Sequence, residues 1–340
     1  MSHNITAADA WAHLDSLAKP RRSLGRLEEI AVMLASRQGT LTPKTSPRRI
    51  VLFAGDHGVV ASGVSAWPSE VTGLMVGTIA AGKAASSAMA AVNNVDLRLV
   101  DVGVAGPALA DPPAFFRDAR VANGTANLSV ESAMTVAQFE AAWAVGADEG
   151  RRAQSDGHVL VMVGEMGIGN TTPAACITML LADVPIDSAI GRGAGADDQT
   201  LARKRTVVSV AVERAKSLEG DICQIASVCG FEIAAMAGFY AEAAQSGLVI
   251  LLDGFVTTAA ALIANRLVPG SANAMIAAHR SAEPGHNGAL AALDRVPLLD
   301  WDMRLGEGTG ALIAVPMLDA AAALMRDVAV LEAVGVDRKD

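Results

Sequence analysis

The sequence has few cysteines and few aromatic residues. It contains three Cys, and Phe, Trp and Tyr make up 4% of its 340 residues. A small, odd number of cysteines provides no disulfide framework and is typical of a reducing cytosol, so we expect a cytoplasmic protein. Hydrophobic residues still make up 51% of the chain, so small aliphatic side chains must fill the core. We therefore expect helices that approach one another closely through Ala and Gly.

An excess of positive charge is also absent. The 36 Asp and Glu outnumber the 27 Lys and Arg, giving a formal net charge of −9, which argues against nucleic acid as a partner. The first residues lack a basic stretch followed by an apolar segment, so we expect no signal peptide. Uncharged runs are short or interrupted by Gly, Asn or Pro, so we expect no membrane span. The cysteines lack the spacing of a zinc site.

Short apolar runs alternate with helical segments along the chain. The runs at 50–54, 97–100, 159–163 and 248–252 have strand length, and their lack of polar alternation indicates strands buried on both faces. Helices are predicted at 70–92, 137–152, 173–181, 199–215, 233–244 and 257–266, with a capping box at Thr135 and Gln138. The alternation predicts an α/β fold with a mostly parallel, Rossmann-like sheet flanked by helices.

A second, smaller unit is predicted from the two ends of the chain. Ser23 is a plausible N-cap for a helix with apolar residues at 24, 27, 30 and 34, and residues 40–48 read as a linker. The last apolar helical stretch, 318–331, can fold back on this first helix. We therefore expect a large catalytic domain at 45–310 and a small helical domain formed by 1–44 with 311–340.

One loop between a predicted strand and helix has the character of a phosphate site. Ligands of open α/β sheets bind at the carboxyl ends of the strands, where residues 164–172 fall. Gly167 and Gly169 permit close backbone approach, and Asn170 and Thr171 provide donors at a helix start. The loop matches neither the Walker A pattern nor the dinucleotide fingerprint. The alternative is a tight turn that uses glycine only for its geometry.

A second glycine-rich loop covers residues 191–195. Its backbone N–H groups, including that of Gly193, either add donors to the anion site, or the loop is only a flexible turn. Lys204, in the helix that follows, can reach a phosphate as a point charge. The alternative for Lys204 is a solvated helix face.

Two carboxylates are candidates for acid–base chemistry. Glu307 stands between Gly306 and Gly308, and such small neighbours let a substrate approach a general base. The alternative is an exposed turn glutamate. Glu165, at the end of a predicted strand, can share the work of stabilising an oxocarbenium-like state and taking a proton.

Two histidine-containing segments are open to more than one interpretation. Asp56 and His57 follow the first predicted strand and are expected to order a loop or line the substrate site. The segment 279–286 contains two His and one Glu, so it can bind a metal, but more often such a turn is a hydrogen-bonded structural element.

Nine ordered segments carry a resemblance to one family. They are KPRRSLGRLE, GDHGV, VSAWPSEVT, GEMGIGNTTPA, GRGAG, CGFEIAAMAGF, LLDGFVTTAAAL, SAEPGH and RLGEGTGA. Together they resemble nicotinate-nucleotide–dimethylbenzimidazole phosphoribosyltransferases, which make the lower-ligand nucleotide of cobalamin. The resemblance implies a homodimer that needs no metal or redox cofactor. It implies transfer of the phosphoribosyl group of nicotinate mononucleotide to 5,6-dimethylbenzimidazole, with inversion at the anomeric carbon.

The resemblance also implies roles for individual residues. Glu307 would be the catalytic base and Glu165 the second active-site acid. The resemblance implies substrate binding at Gly167, Gly169, Asn170, Thr171, Gly193 and Lys204, and a base pocket near Ser69. Asp56, His57, Asp253 and Gly306, which follow predicted strands or stand in the glycine-rich loops, complete the predicted substrate-binding positions. Ser69 departs from the pattern, because many relatives carry Gln there. The acceptor is therefore left open among dimethylbenzimidazole, adenine and a phenolic compound.

Two other classes of function stay open on the sequence. A nucleotide-dependent dehydrogenase or kinase would share the layered fold, although its fingerprints are missing. A small-molecule-binding regulatory protein on the same scaffold would bind the nucleotide without releasing nicotinate.

Overall fold

A six-stranded parallel sheet forms the centre of the computed structural model, which describes residues 5–193 and 195–335. Ala194, in the second glycine-rich loop, lies outside the described residues. The strands are β1 (Arg48–Gly55), β2 (Asp96–Gly103), β3 (Phe116–Asp118), β4 (Leu160–Met166), β5 (Val249–Leu252) and β6 (Met275–Ala277). Their order is β3-β2-β1-β4-β5-β6, and every neighbouring pair is parallel. The predicted Rossmann-like sheet is confirmed, with its switch point between β1 and β4.

Thirteen α-helices surround the sheet within the described residues. They are α1 (Ala7–Ser16), α2 (Arg26–Gln38), α3 (Glu70–Ala80), α4 (Ala85–Val92), α5 (Val136–Ser155), α6 (Thr171–Ala182), α7 (Ile186–Ala189), α8 (Asp198–Lys216), α9 (Asp221–Val228), α10 (Phe231–Gln245), α11 (Phe255–Leu267), α12 (Gly285–Ala292) and α13 (Thr309–Asp327). The predicted capping box of Thr135 and Gln138 begins α5.

Several predicted boundaries were wrong. The helix predicted at 70–92 is two helices, α3 and α4, separated by a turn with Gly82 at φ +70°. Ser23 is not the N-cap of α2, because that helix begins after Gly25, which has no side chain to cap it. The short strands β3 and β6, each of three residues, were not predicted.

The two faces of the sheet belong to two hydrophobic clusters. Alternate residues of β1 show this, because Val51 and Phe53 face one cluster while Ile50 and Leu52 face the other. The first cluster includes side chains of α5, α6, α8, α9, α10 and α11, and the second includes side chains of α1, α2, α3, α4 and α13. All eight residues of β1 are buried, as expected for a parallel strand covered on both faces.

The terminal helices share a core with the sheet. Leu14 of α1, Leu34 of α2 and Leu318 of α13 are fully buried in the same cluster as Ile50 and Leu52. The predicted return of the last helix onto the first helical segment is thus seen in the packing. The division into a large domain at 45–310 and a small helical domain stays a prediction.

Glycine allows α5 and α10 to pack closely. A Cβ atom on Gly146 of α5 would lie 1.7 Å from the carbonyl oxygen of Ala235, and one on Gly238 of α10 would lie 2.1 Å from that of Trp143. Any side chain at either position would collide with backbone. The expected contact between helices through small residues is therefore present.

Within the described residues, two stretches are long and apolar enough to cross a membrane by length and composition alone. They are Thr309–Asp327, of which 61% is buried in the protein, and Glu70–Val92, which comprises α3 and α4. Buried core helices meet the same test, so this is weak evidence for a membrane span.

Candidate active site

A cavity lies over the carboxyl ends of β4, β5 and β6. It encloses about 890 Å³, part of it open to solvent. The loops that line it contribute residues at 64–66, 165–171, 192–193, 253–257, 279–283 and 304–306. Eight of the residues selected from the sequence meet on its wall: Glu165, Gly167, Gly169, Asn170, Thr171, Gly193, Asp253 and Gly306.

The start of α6 has the features of an anion site. Asn170 is the N-cap and Gly169 has φ +90°. Residue 173 is Pro, and the N–H groups of Asn170 and Thr172 donate to the carbonyls of Gly167 and Gly169, so the N–H of Thr171 is the backbone donor of this first turn that is left for an anion. Lys204 does not line the cavity, but its Nζ donates to Oγ1 of Thr171 at 2.8 Å and to the carbonyl of Gly191 at 3.1 Å. Lys204 is 1% exposed, so its interpretation as a solvated residue is wrong. Burial lowers its pKa to about 8.

The second glycine-rich loop is hydrogen-bonded to the 279–286 segment. The backbone N–H of Gly193 donates to Oε1 of Glu283 at 2.8 Å. A carboxylate therefore already occupies this donor, although Gly193 lines the cavity. A phosphate that used it would have to displace Glu283.

Glu165 lies at the end of β4 on the cavity wall. Asn170 donates its side-chain amide to Oε2 of Glu165. Burial raises the pKa of Glu165 to about 8, and the negative charges of Glu232, Asp253 and Glu307 add to the rise. In this arrangement the carboxyl is therefore largely protonated at neutral pH.

Glu307 is less accessible than the sequence predicted. Its side chain is buried, and Oε2 accepts a hydrogen bond at 3.0 Å from the hydroxyl of Ser86 in α4. Its neighbour Gly306 lines the cavity, but Glu307 itself does not. The expectation of a bare carboxylate was wrong, because the start of α4 covers it. Glu307 nevertheless has φ +56° between two glycines of positive φ, a strained conformation that is concentrated at functional sites.

Asp253 connects the cavity wall to the start of α13. Its Oδ1 accepts from the backbone N–H of Gly310 at 2.7 Å and of Ala311 at 3.0 Å. Burial raises its pKa, and His279 opposes the rise. This carboxyl therefore fixes the first turn of the helix that begins directly after Glu307 and Gly308.

Three other predicted substrate contacts do not line the cavity. Oδ2 of Asp56 accepts from the backbone N–H of Ala105 at 2.8 Å, and His57 is 2% exposed beside Glu232, so both side chains lie beneath the loops. Ser69 precedes α3 and makes no capping hydrogen bond. For Asp56 and His57 the loop-ordering interpretation fits, and the substrate-lining one does not.

The segment 279–286 is a hydrogen-bonded structural element. The backbone N–H of Ser281 donates to Nδ1 of His286 at 2.8 Å, so Nδ1 is unprotonated and Nε2 donates to Thr258 at 2.9 Å. Burial lowers the pKa of His286 to about 3. Among the described residues, no group of three His, Cys, Asp or Glu is placed to hold a metal ion.

Three residues around the cavity were not identified from the sequence. Glu232 lies beneath it, Ser86 covers Glu307, and Arg304 lines its wall. Glu232 was visible in the CGFEIAAMAGF segment, which was used only for the family resemblance, one residue before the helix predicted at 233–244. Ser86 had no signal, because its contact with Glu307 spans 221 positions.

Fold and cavity together define an α/β protein in which one cavity joins a helix start suited to an anion to buried carboxyl groups. A family model described as Phosphoribosyltransferase matches residues 2–336. A nicotinate-nucleotide–dimethylbenzimidazole phosphoribosyltransferase of Thermus thermophilus is 44% identical over 97% of this chain and 98% of its own length. The chain belongs to this phosphoribosyltransferase family.

Other relatives and a solved structure support the same family membership. A relative of the same name from Pseudomonas fluorescens is 44% identical, over 97% of this chain and 94% of its own length. Another, from Azotobacter vinelandii, is 46% identical, over 92% of this chain and 89% of its own length. The crystal structure of CobT from Thermus thermophilus superimposes with a TM-score of 0.94 at 43% identity, covering 98% of this chain and 99% of that one.

Proposed function

We propose that this enzyme transfers the 5-phosphoribosyl group of nicotinate mononucleotide to 5,6-dimethylbenzimidazole. The products are α-ribazole 5′-phosphate and nicotinate, and the reaction belongs to the assembly of the cobalamin nucleotide loop. One observation carries the proposal: a single cavity joins an anion-binding helix start to a group of buried carboxyls. Nicotinate mononucleotide has the matching charges, because it carries a phosphate at one end and a cationic pyridinium ring at the other.

The phosphate is proposed to bind at the start of α6. Gly167, Gly169, Asn170 and Thr171 provide the turn, and Lys204 adds a buried ammonium. Lys204 uses two of its three N–H donors on Thr171 and Gly191, which leaves one for a phosphate oxygen. Gly193 contributes its backbone N–H once Glu283 releases it.

The carboxyl groups are proposed to stabilise positive charge on the reacting sugar. A pyridinium near Glu165 favours ionisation of that carboxyl, because an opposite charge lowers its pKa. Nicotinate leaves with the ring nitrogen neutral, so the leaving group needs no acid. The acceptor attacks the opposite face of the ribose, which inverts the anomeric carbon from β to α.

Glu307 is proposed to take the one proton that must be removed, that of the attacking imidazole. In the structure the hydroxyl of Ser86 is its hydrogen-bond partner. The acceptor nitrogen therefore has to replace Ser86 or insert beside it, which requires a small movement of the first turn of α4. General-base help of this kind contributes roughly 10²–10⁴-fold to the rate.

The assembly is proposed to be a cytoplasmic homodimer. The resemblance to the family implies the dimer, and large apolar side chains on the α3–α4 segment support it. Leu74 is 70% exposed and Val92 is 82% exposed.

The test is to incubate the purified enzyme with nicotinate mononucleotide and dimethylbenzimidazole and to analyse the products by chromatography and NMR. The proposal expects stoichiometric nicotinate and α-ribazole 5′-phosphate. Adenine and a phenolic compound replace the acceptor in parallel reactions and identify the preferred base. Binding of the nucleotide without nicotinate release from any of these mixtures would instead support a regulatory binding protein.

A further inference from the structure

A buried pair of ionisable side chains lies beneath the loop that carries Glu165. Nε2 of His57 is 2.9 Å from Oε1 of Glu232, and the two side chains are 1% and 0% exposed. Within the part of the chain that the structure describes, neither ring nitrogen and neither carboxylate oxygen makes a hydrogen bond of good geometry. The two side chains are therefore in close contact without a hydrogen bond that would fix their geometry.

Such a pair is a poor way to stabilise a fold. Buried polar atoms without hydrogen bonds each cost about 1–3 kcal/mol, and well-packed apolar residues often replace a buried ion pair without loss. The surrounding cluster is rich in small aliphatic residues that could have filled the space. A role in function explains the pair better than a role in stability.

Three glycines from three elements make room for the pair. A Cβ atom on Gly167 would lie 2.9 Å from Nε2 of His57, and one on Gly55, at the end of β1, would lie 3.2 Å from Oε2 of Glu232. A Cβ atom on Gly230, which precedes α10, would lie closer still, 2.4 Å from Cε1 of His57 and 2.5 Å from Oε2 of Glu232. The imidazole thus packs directly against the loop, two residues after Glu165, while Glu232 is anchored in the first turn of α10.

We propose that His57 and Glu232 are positioning residues for phosphoribosyl transfer, which support the 164–170 loop from beneath and keep Glu165 at the cavity wall. The proposal rests on the proposed function. Neither residue lines the cavity, so neither touches substrate. Both act through Glu165, which lies two residues before the glycine that packs against His57.

The pair also contributes to the electrostatic environment of Glu165. The charged groups that face this carboxyl are Glu232 of α10, Asp253 after β5 and Glu307 before α13, with Asn170 of the α6 cap as its hydrogen-bond donor. His57 and His279 lie next to Glu232 and Asp253. Glu232 is one of the causes of the raised pKa of Glu165, so removing its charge lowers that pKa.

The test compares Glu232→Gln with Glu242→Gln, a matched change near the exposed end of the same helix, where Glu242 pairs with Arg151. The measurements are kcat and KM for both substrates as a function of pH, together with thermal unfolding. The Glu165→Gln variant identifies which limb of the pH profile belongs to Glu165.

We expect Glu232→Gln to fold and to keep KM for the nucleotide within a few-fold of the wild type. Its kcat should fall roughly 10- to 100-fold, the usual cost of a misplaced reacting group, and the Glu165 limb should move to lower pH. Glu242→Gln should match the wild type. His57→Gln, which removes the ring that packs against Gly167, should also lower kcat with little change in KM.

Three results would overturn the proposal. The first is that Glu232→Gln has the kcat of the wild type and that the Glu165 limb of its pH profile has not moved. The second is a loss of activity with the limb unmoved, because a purely structural role would do that. The third is failure of both variants to fold. If the wild-type enzyme itself forms no α-ribazole phosphate, the proposed function fails first, which is a distinguishable outcome.

Discussion

At the scale of single residues, burial shifts the pKa values of ionisable groups in and around the cavity. Lys204, Glu165 and His286 all have pKa values moved toward neutral forms by desolvation. Each also has a hydrogen-bond partner on a different element, which fixes its position. Lys204 and Glu165 could be identified as candidates from the sequence, but the burial that changes their chemistry depends on packing between distant segments.

Lys204→Met tests the phosphate site. Methionine keeps much of the packing but removes the charge, so KM for nicotinate mononucleotide should rise roughly 10- to 100-fold, the value of a hydrogen bond to a charged group. Arg205→Met is the control, since Arg205 is half-exposed and pairs with Asp187. Steady-state kinetics check this, and an unchanged KM in Lys204→Met would remove Lys204 from the site.

Because burial lowers the pKa of His286, the stability of the protein should depend on pH. Its folded pKa of about 3 lies below the unfolded value of 6.5, so between these values the unfolded state binds more protons. Its contribution to the free energy of unfolding is thus present above pH 6.5 and decreases as pH falls toward 3. The stability difference between wild type and His286→Gln should shrink between pH 7 and pH 4 in urea unfolding. A constant difference would contradict a neutral, buried His286.

At the scale of elements, the sheet was predictable and its edges were not. Short runs of branched aliphatic residues identified β1, β2, β4 and β5, since a strand buried on both faces has no regular polar alternation. β3 and β6 are too short to show a pattern, and the break between α3 and α4 occurs within an apolar stretch. The cover of Ser86 over Glu307 depends on where α4 begins, so no local pattern indicated it.

Gly146→Ala tests the close packing of α5 on α10. The new Cβ would collide with the carbonyl oxygen of Ala235, so the free energy of unfolding should fall by about 1–3 kcal/mol or more. Gly77→Ala in α3 is the matched control, because no atom of the same chain lies within 4 Å of its added Cβ. That change should stabilise by about 0.4–1 kcal/mol. Equal effects of the two substitutions in urea unfolding would contradict this packing.

At the scale of the whole molecule, the exposed side chains of α3 and α4 bear on assembly. Sedimentation velocity should show a dimer, and Leu74→Glu should shift the protein toward monomer, because a charge at an apolar interface is costly to desolvate. Val210→Glu, a change at another exposed apolar residue, on α8, should leave the dimer intact. A wild-type protein that sediments as a monomer at assay concentrations would contradict the proposed homodimer.

The fold brings the proposed phosphate site at the start of α6 and the carboxyl of Glu165 onto the wall of one cavity, and the buried Glu307 follows Gly306 of that wall. Their separation along the chain is large, since the anion site begins at Gly167 and the proposed base is Glu307. Motif order along the chain indicated that these segments belong together. Only the parallel sheet, with its strand ends at one edge, explains why they meet.

The most direct measurement is the turnover of Glu307→Gln with nicotinate mononucleotide and dimethylbenzimidazole. If Glu307 takes the proton of the incoming base, kcat should fall roughly 10²–10⁴-fold while the fold and the affinity for the nucleotide stay close to those of the wild type. Turnover equal to that of the wild type would show that this carboxylate, covered by Ser86 in the structure, is not the base.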